Sequence, residues 1–124
     1  MAQRWFGALE QAMKQDKFSI RKFADHASFR TWLKTNHAKS DGVWLRIAKK
    51  GSGVRTVTWE AAVDEGLRYG WSESQRRKGD DRTYLQLFTP RRKTGTTSPR
   101  AQGRVKMLLR QGRITKAGRK TLGL

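Results

Sequence analysis

The sequence predicts a small α+β domain, in which a mostly antiparallel sheet of roughly three to five strands packs with about four helices. Apolar residues recur at helical or strand spacing through most of the 124-residue chain. Segments of the two kinds are mixed along the chain, and two strand-like segments flank a short turn, as in an antiparallel hairpin. The length fits one domain with a substantial core.

The N-terminal part, residues 1–17, is predicted to be a helical extension of the main domain, which we place at residues 18–124. Its apolar positions recur at helical spacing at Trp5, Phe6, Leu9, Ala12 and Met13. In the main domain, Phe18, Ile20 and Phe23 alternate with polar residues and predict a first strand.

Residues 25–48 are predicted to form a helix followed by a central strand. Asp25 is a suitable N-cap for a helix that runs to about His37. The inner face of this helix carries Phe29, Trp32 and Leu33. The run Val43–Ala48 is apolar on both faces, which is typical of a strand in the middle of a sheet.

The next segment is predicted to contain a turn, a short strand and a second helix. Gly51–Gly53 forms the turn, and Thr56–Val57 is the short strand. Thr58 can cap the helix, which Gly70 is expected to end. Its apolar positions are Trp59, Ala62, Val63 and Leu67.

A hairpin, one further helix and a last short turn complete the prediction. Residues 72–78 and 83–89 pair across a turn at Gly79–Asp81. Ser98 followed by Pro99 indicates a helix start, since proline suits the first helical position. Gly112 ends that helix. Thr115 is predicted to cap a last short turn through Leu122.

The charge of the chain is large and unevenly distributed. There are 28 Lys and Arg against 10 Asp and Glu, a formal net charge of +18. Residues 1–67 hold 12 basic and 7 acidic side chains, whereas residues 68–124 hold 16 basic and 3 acidic ones. Such a field attracts phosphate-rich polymers or anionic membrane surfaces. The alternative interpretation is that the excess charge only keeps the protein soluble.

Several classes of site are disfavoured by the residues present. The chain has no Cys, which excludes disulfides, thiol catalysis and thiolate metal sites. His26 and His37 are too few for a structural zinc site, so no metal or cofactor is expected. No apolar run approaches about 18 residues, and the N-terminus lacks the pattern of a signal peptide. We therefore expect a cytoplasmic protein without a transmembrane segment.

No catalytic constellation is apparent, so the chain is not expected to be an enzyme. Glu60 and Asp64 lie four residues apart on one helix face, but in so basic a chain they are expected to form ion pairs. Ser72 and Ser74 lack a nucleophile motif and a positioned His. The glycine turn that begins at Gly51 lacks the Gly-Lys-Thr ending of a phosphate loop.

The basic clusters are the candidate binding residues for a polyanion, and nucleic acid is the favoured partner. They are Arg76, Arg77, Lys78, Arg91, Arg92, Lys93, Arg100, Arg104, Lys106, Arg110 and Arg113. The planar fork of Arg suits phosphate because it donates two hydrogen bonds at once. The clusters at residues 76–78 and 91–93 are expected at the same end of the hairpin, opposite its turn. The alternative is a solvated cationic face.

Aromatic residues beside basic ones would suggest stacking on single-stranded bases. Trp44, whose side chain points opposite to those of Val43 and Leu45, is the candidate for such a contact. Aromatics at strand spacing are more often part of the core, and this alternative stays open for Trp44.

Four segments carry a family resemblance: FADHASFRTWLKTNHAKSDGVWLRIAKKGSG (23–53), VTWEAAVDEGLRYGW (57–71), YLQLFTPRRK (84–93) and GRITKAG (112–118). In this order they resemble the YdeI/OmpD-associated domain, the family named for bacteriocin protection, over about residues 18–120. The resemblance implies a small α+β fold and an indirect role in protection against bacteriocins or envelope stress, with no enzymatic reaction. The family's Trp and Asn are missing around Thr97–Ala101, so no binding residue is transferred there.

These observations lead to one favoured function and two alternatives. The favoured function is a non-catalytic basic binding module that contacts nucleic-acid phosphates. The first alternative is a protection protein that acts on an anionic envelope surface or a protein partner, suggested by the amphipathic N-terminal segment. The second alternative is an enzyme that acts on a small ligand, and the pair of carboxylates at Glu60 and Asp64 is the evidence for it.

Overall fold

A computed structural model describes residues 18–91 and 98–124 of the chain. Within these residues, four strands and four helices confirm the predicted α+β class. The elements are β1 (Ile20–Arg21), α1 (His26–Asn36), β2 (Val43–Ala48), α2 (Trp59–Arg68), β3 (Trp71–Lys78), β4 (Thr83–Pro90), α3 (Pro99–Arg110) and α4 (Lys116–Leu122). The predicted N-terminal helix lies outside the described residues, as do Arg92 and Lys93.

The four strands form one sheet in the order β1-β2-β4-β3. β1 pairs with β2 in parallel, whereas β2 with β4 and β3 with β4 are antiparallel. The predicted hairpin is confirmed as β3 and β4, and its turn lies at Gly79–Asp81 as expected. A bulge between Glu73 and Arg76 interrupts the register of β3.

The strand predicted at Thr56–Val57 is wrong, since no strand forms there. The Thr56 hydroxyl oxygen accepts the Ala48 backbone N–H at 2.8 Å. The Val57 N–H donates to the carbonyl oxygen of Phe23 at 2.8 Å. A side chain and a single backbone hydrogen bond therefore hold this segment, and a ladder of strand hydrogen bonds does not form.

The three helix starts predicted for residues 18–124 are confirmed, and the short turn predicted after Thr115 is a helix. Each N-cap side chain accepts a hydrogen bond from the backbone N–H three residues later, which satisfies one free donor of the first turn. The N-caps are Asp25, Thr58, Ser98 and Thr115. Gly70 follows α2 with φ of 76°, a conformation that other residues rarely adopt, so it ends this helix as predicted.

The hydrophobic core lies mainly on one face of the sheet. There α1 and α2 cover a cluster of buried side chains that includes Phe29, Leu33, Val43, Leu45, Ile47, Trp71 and Phe88. A second cluster joins the helices: Leu67 of α2 with Val105, Leu108, Ile114 and Leu122. A third cluster, Trp44, Leu85 and Leu87, lies on the other face of the sheet.

α3 lies beside α2 and runs in the same direction. The guanidinium of Arg100, near the start of α3, lies 4.6 Å from the ring centroid of Trp59, the first residue of α2. Further along, Arg104 pairs with Asp64, and Leu108 packs in one cluster with Leu67. Both helices therefore point their N-terminal, positively polarised ends the same way. This arrangement positions the candidate site.

Candidate nucleic-acid interface

A cleft of about 580 Å³ opens where the end of β2, the start of α2 and β4 meet. Its aromatic residues are Trp59 and Tyr84, and Glu60 also lines it. The exposed cations Lys49 and Lys50 also line the cleft. The remaining lining residues are Ile47, Ala48, Val54, Thr56, Val57 and Thr58.

Trp59 is held by contacts on its ring and its nitrogen. The ring packs partly against the main core cluster. Its Nε1 donates a hydrogen bond of 2.6 Å to Oε2 of Glu73 in β3. The guanidinium of Arg100 lies over the ring, at a distance typical of a cation–π contact. The first turn of α2 therefore presents an aromatic ring in a defined position.

Tyr84 also lines the cleft and lies in β4. The guanidinium of Arg76 lies 4.4 Å from its ring centroid, and Arg76 Nε donates to Oε1 of Gln86 at 3.3 Å. Burial raises the pKa of the Tyr84 hydroxyl, and the carboxylates of Glu60 and Glu73 act in the same direction against the opposing charge of Arg76. The hydroxyl therefore stays protonated at neutral pH.

Four cations surround the cleft, and we call them the cationic rim: Lys49, Lys50, Arg76 and Arg100. Lys49 and Lys50 line the cleft, whereas Arg76 and Arg100 lie over its two aromatic rings. A guanidinium that already rests on a ring has less rotamer freedom to lose when it binds an anion. The rim therefore offers preorganised phosphate donors beside the positive ends of α2 and α3.

The structure distributes the other predicted basic residues around the molecule. Arg77 lies on the opposite face of the sheet from Arg76, with its guanidinium 4.6 Å from the ring centroid of Trp44. Lys78 pairs across the hairpin with Tyr84 and is exposed. Lys106 and Arg110 are exposed on α3. Of the predicted residues that the structure describes, Arg76 and Arg100 lie over the two aromatic rings of the cleft, and Lys78 is the cross-strand neighbour of Tyr84.

The predicted meeting of two basic clusters at one end of the hairpin is wrong. Residues 76–78 immediately precede the turn, and Arg77 pairs with Leu85. Arg91 lies at the other end, where its N–H donates to the carbonyl oxygen of Gly70 at 3.0 Å. At roughly 3.3 Å per residue, the two positions are about 20 Å apart. An antiparallel register necessarily separates a residue before the turn from one at the far end of the second strand.

Two further predicted binding residues are occupied by internal ion pairs. Arg104 Nη1 donates to Oδ1 of Asp64 at 2.7 Å, and Arg113 Nη2 donates to Oε1 of Glu65 at 3.2 Å. These arginines tie α3 and the following turn to α2. They therefore have a structural role, which the sequence does not reveal because their partners are distant along the chain.

The prediction missed the buried carboxylate of Glu65, whose side chain is 1% exposed. Arg30 donates to it from Nε at 2.9 Å and from Nη2 at 3.1 Å, and Arg68 and Arg113 each add a contact at 3.2 Å. Burial would raise the pKa of Glu65, but the hydrogen bond from Arg30 and the charges of Arg68 and Arg30 outweigh it and lower the pKa. Glu65 is therefore ionised and structural.

Trp44 cannot offer a free stacking surface, so this candidate is wrong. The residue is 1% exposed and packs with Leu85 and Leu87 on the second face of the sheet. In a central strand both faces are covered, and alternation alone does not reveal this. Trp59 and Tyr84 are half-buried and line the cleft, so they are the aromatic residues of this site. No local pattern distinguishes these two from core residues.

The structure shows how the other residues considered for chemistry are used. Asp64 forms the predicted ion pair, with Arg104. The ion pair predicted for Glu60 is wrong, since Glu60 forms none with the described residues and is exposed at the cleft. Across residues 18–91 and 98–124, no group of three or more His, Asp or Glu lies together as a metal site would require. None of the helices in this part of the chain has the length and apolarity needed to cross a bilayer.

The chain matches one protein family over nearly the whole of the described domain. No curated protein and no solved structure matches the chain significantly. The resemblance to the YdeI/OmpD-associated domain therefore stays a prediction. One family model does match, over residues 21–121, and its description is Domain of unknown function (DUF8412). Since this match covers most of the sequence, the chain belongs to the DUF8412 family.

Proposed function

We propose that this protein is a non-catalytic module that binds nucleic acid, mainly through phosphate contacts made by the cationic rim. The observation that carries the proposal is the convergence of Arg76 from β3 and Arg100 from α3 on two aromatic rings of one cleft. Phosphate groups are recognised by guanidinium forks and by the positive ends of helices, and both occur here.

The distribution of carboxylates supports this location. Six arginines form ion pairs within the described residues, and their partners are Asp25, Asp64, Glu65 and Asp80. None of these pairs involves a rim cation. Within residues 18–91 and 98–124, the rim therefore keeps its positive charge available for an external anion, in a chain whose formal net charge is +18.

The proposal is tested by titrating a labelled single-stranded oligonucleotide at several salt concentrations. Replacing Lys49, Lys50 and Arg100 with Ala should weaken binding and reduce the slope of log K against log salt by roughly two, because each lost phosphate contact on a single strand removes about 0.7. These three residues are exposed, so the fold should tolerate the change.

A matched control separates the rim from general charge. Lys34, Lys39 and Lys120 are also exposed, and replacing them with Ala removes the same charge. Lys34 and Lys39 flank the C-terminal end of α1, where His37 contacts Tyr69 at the C-terminal end of α2. The cleft lies at the other end of α2, where Trp59 is the first residue. The control should keep the wild-type slope. Equal losses in both variants would show that binding depends on net charge and not on the rim.

Anionic vesicles serve as the competing surface in the same assay. If vesicles bind the protein at physiological salt and oligonucleotides do not, the nucleic-acid proposal is wrong and the anionic membrane surface is the better assignment.

A further inference from the structure

We propose that the cleft between Trp59 and Tyr84 holds one unstacked base of a single-stranded nucleic acid, while the cationic rim holds the phosphates beside it. This inference rests on the proposed function and specifies the form of nucleic acid that the same site prefers. It is carried by the size of the cleft, by its two aromatic rings with the guanidiniums over them, and by a carboxylate that lines the cleft together with two lysines.

The cleft has a suitable size and suitable walls. Its volume of about 580 Å³ lies within the 300–1,000 Å³ that is usual for small-molecule sites. Trp59 and Tyr84 come from a helix and a strand, so two rigid elements hold the rings in place. Every base has an aromatic face, and stacking on such rings tolerates any sequence.

The charged groups of the cleft can contact both a base and the phosphates beside it. Glu60 lines the cleft, and Glu73 accepts the hydrogen bond from Trp59 Nε1. A carboxylate repels a phosphate but accepts hydrogen bonds from the amino and imino groups of bases. Lys49 and Lys50 also line the cleft, and Arg76 and Arg100 lie over its rings, so phosphate donors lie next to these carboxylates.

The two arginines extend the stacking surface. Each guanidinium is planar and rests on one of the rings, Arg76 on Tyr84 and Arg100 on Trp59. A guanidinium plane can itself stack on a base while its edge donates to a phosphate oxygen. Ring, guanidinium and base can therefore form a continuous stack next to the backbone of the strand.

This geometry predicts a preference for single strands. In a duplex each base is already stacked and paired, so it must first be extruded before it can enter a pocket. A flexible single strand presents its bases without this step. The rim alone would bind both forms through phosphate, and the cleft adds affinity only for the single strand.

The decisive experiment compares two ligands of equal charge on the unmodified protein. One is an oligothymidylate of about ten nucleotides, and the other is an abasic strand of the same length. We expect the oligothymidylate to bind roughly tenfold more tightly, with the same salt slope. Equal affinities would overturn the base-binding inference and leave phosphate binding intact. Absence of binding by both strands would instead contradict the proposed function itself.

Substitutions of Trp59 and Tyr84 test whether the cleft causes the preference for the oligothymidylate. Trp59→Leu should abolish the preference for the oligothymidylate, whereas Trp59→Phe, which keeps a ring, should retain most of it. Tyr84→Leu and Tyr84→Phe form a second pair with the same expected outcomes. A thermal melt checks that each variant is folded. A preference that persists in both folded Leu variants would place the base elsewhere.

Free thymidine monophosphate distinguishes a strand from a free nucleotide as the ligand. The mononucleotide has the same base but lacks the neighbouring phosphates that the rim would hold. It should therefore compete only at concentrations far above that of the oligonucleotide. Competition at equal concentration would overturn the assignment to a strand.

Discussion

At the scale of single residues, Glu65 shows how this basic protein uses a buried carboxylate. Its side chain is almost fully enclosed, and it accepts hydrogen bonds from arginines of α1, α2 and the turn after α3. The side chains of Arg30 and Arg113 are 37% and 35% exposed, so water can screen the repulsion between their charges. One carboxylate thus connects three parts of the fold.

We expect Glu65→Gln to destabilise the protein by about 3 kcal/mol, because it leaves three neighbouring cations without their shared anion. Urea unfolding followed by circular dichroism measures this change. Glu60→Gln, at an exposed position on the same helix, is the control and should change stability little. Similar effects of the two substitutions would contradict the structural role of Glu65.

The same residue predicts a loss of stability in acid. The pKa of Glu65 is lowered in the folded protein, so its contribution is fully present above the unfolded-state pKa of about 4.3. It is lost as the pH falls below that value and through the lower pKa of the folded state. The stability difference between wild type and Glu65→Gln should therefore shrink below about pH 4. A constant difference would show that Glu65 does not titrate as proposed.

At the scale of elements, two helical glycines have opposite roles. A Cβ at Gly118 in α4 would lie 2.2 Å from the carbonyl oxygen of Arg68, so the start of α4 approaches the end of α2 only because this side chain is absent. A Cβ at Gly103 in α3 would have no neighbour within 4 Å. The first glycine permits helix packing, whereas the second only costs helix stability.

These glycines form a matched pair for mutation. Gly118→Ala should destabilise the protein by about 1–3 kcal/mol, since a buried backbone must move. Gly103→Ala should stabilise it by about 0.5–1 kcal/mol, because Ala restricts the unfolded chain and favours the helix. Thermal unfolding of both variants measures the signs. A stabilising Gly118→Ala would show that α4 does not dock on α2 as described.

At the scale of the whole molecule, positive charge exceeds negative charge by a large margin. The ion pairs of Glu65 and Asp64 lie between the helices, whereas many Lys and Arg are exposed. Exposed like charges repel one another, and this repulsion opposes the compact state. Association with a polyanion would relieve it.

Salt should therefore stabilise the free protein. Raising the ionic strength from about 0.01 M to about 0.15 M shortens the Debye length from roughly 30 to 8 Å. We expect the Tm to rise by a few degrees, as measured by calorimetry without nucleic acid. The variant that lacks the lysines at positions 34, 39 and 120 should show a smaller rise. A fall in Tm with salt would mean that the internal ion pairs outweigh the surface repulsion.

Much of the local structure is predictable because its causes are local. Asp25, Thr58 and Ser98 cap helices through hydrogen bonds that span only three residues. The hairpin follows from a turn between two strand-like segments. The short strand predicted at Thr56–Val57 fails because the Thr56 side chain takes a backbone partner from β2, and such a distant contact leaves no local pattern.

The sequence by itself determined the α+β class, the helix caps and the excess of positive charge, since these depend on composition and on neighbours along the chain. Only the tertiary structure decided which cations can meet a ligand. Arg104 and Arg113 bind carboxylates of α2, Trp44 is buried, and Arg76 and Arg100 reach one cleft. The physical reason is that strand register and helix packing set distances between residues that are remote in sequence.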